Sequence, residues 1–268
     1  MPHCWQKYTK ALFIGAFLFW ALIYQCPRGF SDPAQSFCQQ RELDETAIVA
    51  KIYDGDTIRL ADDRVVRLIG INTPELAREG KPPQPLAGQA KAALLSLLPI
   101  GTRVGLVYGQ ERHDHYQRTL AHVYGLTGKN VAAELIMRGL GFAIVVPPNT
   151  GLTHCYFDSE EQARKAGHGI WSNPAYTPKN VNSLTQSDTG FQYVIGKVTG
   201  IGHGKKNIWL DMGEAFSVRV QTKYLENFAQ LPLETLSGRH LRLRGWVAFY
   251  NHKLRMNIGH PAMLEIVD

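Results

Sequence analysis

The sequence predicts a mainly β, α+β protein: a five-stranded barrel with helices packed on it, then a second, smaller β-barrel, the pair preceded by an N-terminal hydrophobic helix. Three observations predict this. Residues 51–75 read KIYDGDTIRLADDRVVRLIGINTPE, where Ile58 and Leu60, then Val66 and Leu68, alternate with Thr57, Arg59, Val65 and Arg67, the period of half-buried strands. Runs at helical spacing follow, and strand-like runs return beyond residue 190. A chain of 268 residues, 44% apolar and 19% charged, suits two small folded domains and a tail rather than one large core or a disordered polymer.

Residues 1–10 hold Lys7 and Lys10 and no acid, and residues 11–26, ALFIGAFLFWALIYQC, hold no charge. A basic flank before an apolar run reads as an export signal. The run is shorter than the roughly 20 residues that cross a bilayer, and no small-x-small cleavage site follows it. An uncleaved anchor is therefore favoured over a removed signal peptide, with the folded part on the periplasmic or extracellular side. Cys4 would then stay inside and Cys26 would sit at the membrane edge, which leaves Cys38 and Cys155 facing an oxidising space. A Cys38–Cys155 disulfide is expected, although Cys26 permits two rival pairings.

Residues 27–44 read as a polar connector and 45–174 as the first domain. Asp54-Gly55 and Asp62-Asp63 supply turn chemistry around the first hairpin. Leu86–Leu98 has Ala90, Ala93, Leu94 and Leu97 at helical spacing and stops at Pro99. Strands are predicted at Arg103–Tyr108 and Thr119–Tyr124, joined by a charged loop, Gly109–Arg118. Helices are predicted at Asn130–Arg138, closed by Gly139, and at Ser159–Ala166, closed by Gly167. Residues 175–190 are polar, without periodicity, and read as a linker. The second domain, 191–268, offers the runs YVIGKVTGI, NIWLDM, FSVRVQ, HLRLRGWVAF and KLRMNI, with a helical stretch at Lys223–Ala229.

Three motifs carry chemistry. DGDT at 54–57, VRLIGINTPE at 66–75 and HYQRTLAHVY at 115–124, followed by GHGIW at 167–171, resemble the staphylococcal-nuclease (thermonuclease) family over about residues 45–175. The resemblance implies an OB-type barrel and an endonuclease that hydrolyses phosphodiester bonds with calcium, indifferent to the sugar, acting on DNA and, as a second candidate, RNA. It assigns calcium to Asp56, the Asn72 side chain and the Thr73 backbone carbonyl, a set of hard oxygens. It assigns orientation or deprotonation of the attacking water to Glu75, the phosphate clamp to Arg67 and Arg118, and a place near the phosphate to Tyr116. Planar, permanently charged guanidiniums suit a phosphate.

Departures from the family pattern are visible. Asn72 stands where a second ligand aspartate is common, which removes a charge and should weaken calcium binding. The tyrosines that frame the base fall at Val145 and Pro147, and His115 replaces a lysine. His113, His115 and His122 lack zinc-ligand spacing.

The second domain resembles an OB-fold nucleic-acid-binding domain on pattern alone. Alternation in HLRLR puts Arg242 and Arg244 on one solvent face. With Lys205, Lys206, Lys253, Arg255 and exposed members of Trp209, Trp246, Phe249 and Tyr250, that face would be a stacking platform for nucleic acid. The plainer reading makes the aromatics core and the cations solvated.

A net charge of +6 favours a polyanionic partner, nucleic acid or an anionic membrane surface. A nucleic-acid binder that keeps the fold without turnover, and an envelope scaffold whose barrels recognise protein, are the competing readings. No protein partner is inferable.

Overall fold

Alternation along the first hairpin sets the inside of a barrel. The computed structural model describes residues 38, 42–77 and 80–268. The hydrophobic segment at 11–26 and its expected helix lie outside them, and no helix among the described residues is long and apolar enough to cross a membrane.

The first half of the chain runs β1 (Glu45–Ile52), β2 (Thr57–Leu60), β3 (Val65–Leu68), β4 (Ile71–Asn72), α1 (Ala87–Leu97), β5 (Arg103–His113), β6 (Thr119–Tyr124), α2 (Val131–Met137), β7 (Phe142–Ala143) and α3 (Thr153–Ala166). Five of the strands close a barrel in the order β1-β2-β3-β6-β5. Neighbours are antiparallel except β3 and β6, which are parallel. Val49, Ile58, Leu60, Val66 and Leu106 point inward and are buried, and Ala90, Leu94, Leu135 and Ile136 of α1 and α2 complete that core.

Two elements run longer than the sequence predicts. β5 continues through the segment read as a charged loop, because its register against β6 shifts between Tyr108 and His113 and leaves the polar side chains at 110–112 in solvent. Helix α3 begins at Thr153 rather than Ser159. Its buried face is Cys155, Tyr156, Ser159, Glu160 and Ala163, so helical spacing is present but two members are polar. Cys155 is bonded to Cys38 as expected, closing a loop of 117 residues. Gly70, at φ +88°, sits against the Tyr156 ring, where a Cβ would lie 1.9 Å from ring carbon.

The second half holds β8 (Lys179–Asn180), β9 (Gly190–Lys197), β10 (Gly200–His203), β11 (Asn207–Asp211), β12 (Phe216–Gln221), β13 (His240–Tyr250), β14 (Lys253–Asn257) and β15 (Leu264–Ile266). These form one sheet ordered β10-β11-β12-β14-β13-β9-β8, with β15 on β13 and a parallel β12–β14 pair. β9 pairs with β13 and β10 with β11, yet only Val198 and Thr199 separate them. The sheet therefore returns on itself in the strand order of the first barrel, an OB-like closure with a bent first strand. The stretch predicted helical at Lys223–Ala229 is a 3-10 helix, Thr222–Phe228.

The two barrels share packing. Phe142, Ile144, Val145 and Ile170 from the first half are buried with Val194, Phe216, Leu243 and Met256 from the second. Between the barrels, Val181 is buried in this core, and the Tyr176 hydroxyl donates to Pro85 O at 2.5 Å.

His122 lies on the face of β6 turned toward α3, its Nδ1 2.6 Å from the Tyr156 hydroxyl, which Asn130 Nδ2 also approaches at 3.2 Å. Burial pulls the imidazole down to about 4. The unfolded chain then binds a proton near 6.5 that the folded chain refuses, so stability is complete above pH 6.5 and falls as pH drops to 4. The loss from this group is about 3 kcal/mol. Urea denaturation at intervals of pH should show that decline, and a His122→Gln protein should give a flatter curve across the same window. Parallel curves would exclude His122 as its source.

Candidate active site

Three motif residues, Thr57, Arg67 and Thr73, converge on Asp56, at the entry to β2. Its carboxylate is 5% exposed and takes four donors. Thr73 gives its backbone N–H at 2.8 Å and its hydroxyl at 3.0 Å to Oδ2, while Thr57 Oγ1 at 3.1 Å and Arg67 Nε at 3.1 Å approach Oδ1. Gly55 allows this closure, since a Cβ there would lie 2.8 Å from Thr73 Oγ1 and 2.7 Å from Ala90 Cβ.

Arg67 stands on β3 opposite Thr57. Its Nη1 donates to the carbonyls of Leu68 at 2.7 Å and Ile71 at 2.8 Å, and its Nη2 to Asn72 Oδ1 at 3.3 Å. Asn72 is fixed in turn by β4, which pairs with β7 as Asn72 against Phe142. Asp54 accepts the Asp56 N–H at 3.0 Å on Oδ1. Its own burial, then the adjacent Asp56 charge, raise the Asp54 carboxyl above its ordinary value. Glu75 follows two residues after Thr73 and is exposed; its N–H donates to Gln84 Oε1 at 2.9 Å, and its carbonyl accepts the Gln84 N–H at 2.9 Å.

The oxygens gathered here are of a kind that suits a hard divalent cation: two adjacent carboxylates, one repelled by the other's charge, with the Asn72 amide linked to Asp56 through Arg67. Among the described residues no three His, Cys, Asp or Glu side chains cluster. The cation would therefore depend on Asn72 and Thr73 as well as on Asp56.

Arg118 arrives by a tight turn. Asp114 Oδ1 accepts the N–H groups of Tyr116 and Arg118, both at 2.9 Å, Gln117 adopts φ +63°, and Arg118 Nε donates to Asp114 Oδ2 at 2.7 Å. Burial would raise the Asp114 carboxyl, but the bonds from Arg118 outweigh it and hold the group below the carboxylate range. Arg67 and Arg118 line one cavity of about 410 Å³. Tyr116 is 67% exposed, with the Arg118 guanidinium 5.3 Å above its ring.

Two expectations change. Arg242 and Arg244 do share a face of β13, but the first barrel covers it, so it is not a solvent face. Arg244 is 5% exposed, with Nη1 2.5 and 2.6 Å from the two Glu160 oxygens of α3 and 3.1 Å from Ala143 O. Arg242 Nη1 pairs with Glu265 at 2.9 Å, and Arg164 of α3 joins the same carboxylate at 3.3 Å. Arg244 thus ties the second barrel to the first through Glu160, while the half-buried Arg242 is held by Glu265 of its own barrel. Second, Trp246 is, from the sequence, one candidate among several for a stacking platform on the second barrel alone. It stands on the covered face two residues beyond Arg244 and lines the cavity of Arg67 and Arg118. Alternation along HLRLRGW was the available signal.

A family model described as staphylococcal nuclease homologue matches residues 65–173. The chain is 32% identical to the thermonuclease of Staphylococcus intermedius over 169 residues, 62% of this chain and 98% of that protein. The chain belongs to the staphylococcal-nuclease family. Within that family it is also 33% identical to the thermonuclease of Staphylococcus hyicus over 147 residues, 53% of this chain and 85% of that protein. An SPbeta prophage-derived endonuclease of Bacillus subtilis is 32% identical over 145 residues, 52% of this chain and 48% of that protein.

The buried Arg244–Glu160 pair yields a stability prediction. Removing one partner leaves an uncompensated buried charge, so Arg244→Met should cost roughly 3–5 kcal/mol in urea denaturation, while the double change with Glu160→Leu should recover much of that loss. Additive losses would show that the two groups act independently.

Proposed function

We propose that the chain is an exported, calcium-dependent endonuclease that hydrolyses phosphodiester bonds of DNA, with RNA as a second substrate. The observation that carries the reading is the shared cavity of Arg67 and Arg118, with Arg67 also bonded to the oxygens of Asp56 and Asn72. Asp56, Asn72 and the Thr73 carbonyl would hold the cation, which when bound supplies charge neutralisation at a phosphate oxygen. Arg67 and Arg118 grip the remaining phosphate oxygens and stabilise the charge that grows on them as water attacks phosphorus. Glu75 accepts the water proton, the P–O bond opposite the incoming oxygen breaks, and the released sugar oxygen takes a proton from solvent water. The groups assigned to substrate address phosphate and no ribose hydroxyl, which supports indifference to the sugar. The Cys38–Cys155 bond supports an oxidising location and therefore export. The uncharged run at 11–26 supports attachment to the membrane on that side.

A second reading, a nucleic-acid binder with little turnover, has one observation in its favour. Asp56 is already satisfied by four protein donors, and Asn72 contributes no charge.

Supercoiled plasmid distinguishes the two. The nuclease reading expects nicking with calcium, none with EDTA, and a rate lower by about 10²–10³-fold in Arg118→Ala and in Glu75→Gln. Mutants that cut as fast as wild type refute the assignment of these residues. Salt-sensitive retention of DNA without cleavage at high calcium would establish the binder.

A further inference from the structure

We infer that Trp246, from the second barrel, is a base-stacking residue of the first barrel's phosphate cavity, so that the substrate site is built by both domains. The inference deepens the proposed function and rests on Arg67 and Arg118 holding a phosphate.

The indole is 41% exposed, although Arg244, two residues earlier on the same face of β13, is 5% exposed. Trp246 thus marks where the contact between the barrels opens into the cavity. Phe191, its register partner on β9, meets it edge-on with centroids 5.3 Å apart and fixes the plane of the ring.

The cavity is polarised. Arg67 and Arg118 supply cationic groups, whereas Leu120, Ile144, Val146 and Trp246 supply an apolar wall. A nucleotide is polarised in the same sense, with an anion joined to a flat ring that stacks on aromatic side chains. Glu111, which also lines the cavity, repels a second phosphate, and an uncharged base fits the space beside the clamp better.

The second barrel also explains why the ring comes from there. Val145 is buried against second-barrel residues, with its N–H 3.1 Å from Met263 Sδ. Pro147 is buried and, with Val145, Val146 and Trp246, lines a further cavity against Tyr224, Asn257 and Gly259. Val145 and Pro147 are buried at the joint between the barrels, and Trp246 is the aromatic side chain that the second barrel brings to the cavity of Arg67 and Arg118.

The test uses the full chain, as wild type, Trp246→Ala and Trp246→Phe, on a fluorescein-labelled single-stranded thymidine oligonucleotide and on the same strand carrying abasic sites. With calcium, Trp246→Ala should raise KM about 5- to 100-fold at nearly constant kcat, Trp246→Phe should recover most of the loss, and the abasic strand should abolish the difference. A KM for Trp246→Ala within about two-fold of wild type, or an equal rise on the abasic strand, overturns the inference while leaving the nuclease assignment intact. If wild type does not cleave, the proposed function falls, and anisotropy of the same strands in EDTA decides the inference. A loss of affinity confined to Trp246→Ala on the base-bearing strand supports it, and equal affinities overturn it.

Discussion

The site depends on how the Asp56 carboxylate is held. Its two oxygens draw in the loop after β4 through Thr73 and the middle of β3 through Arg67, while its backbone carbonyl accepts the Leu68 N–H at 2.8 Å. A buried carboxylate with four donors is well compensated for lost hydration, and each donor is fixed in direction by the strand or turn that bears it. Oxygens and guanidinium therefore come into contact before any ligand arrives. Preorganisation of this kind favours charge developing at a fixed point.

The second barrel reaches the same node by a traceable route. Arg244 holds the Ala143 carbonyl, Glu160 accepts the Ala143 N–H at 2.8 Å, and Ala143 lies on β7, whose partner β4 bears Asn72. Phe142, Phe157 and Tyr193 surround the guanidinium at 5.3–5.7 Å and shield the pair from water. A charge pair buried this way specifies one docking geometry more than it adds stability. The second barrel is thereby coupled to the strand that bears Asn72.

Much of this was legible in the chain. Strand alternation located both barrels, and the first two motifs contain Asp56 together with its partners Thr57, Arg67 and Thr73. What escaped depended on partners distant in sequence. Ser159 and Glu160 look like solvent residues of a short helix until Cys155 carries the disulfide and Arg244 arrives to neutralise Glu160. Arg244 looks exposed because alternation assigns a residue to a face but cannot say what covers that face. Asp114, which orients Arg118, was hidden inside a run of polar residues whose turn geometry rests on the left-handed Gln117.

In the proposed nuclease, Asp56 would organise a cation site as well as the phosphate clamp. Calorimetric titration of the folded protein with calcium, comparing wild type with Asp56→Asn, tests it most directly. Wild type should give saturable binding heat that Asp56→Asn loses, with circular dichroism showing both proteins folded. Equal calcium affinity in the two folded proteins would contradict it.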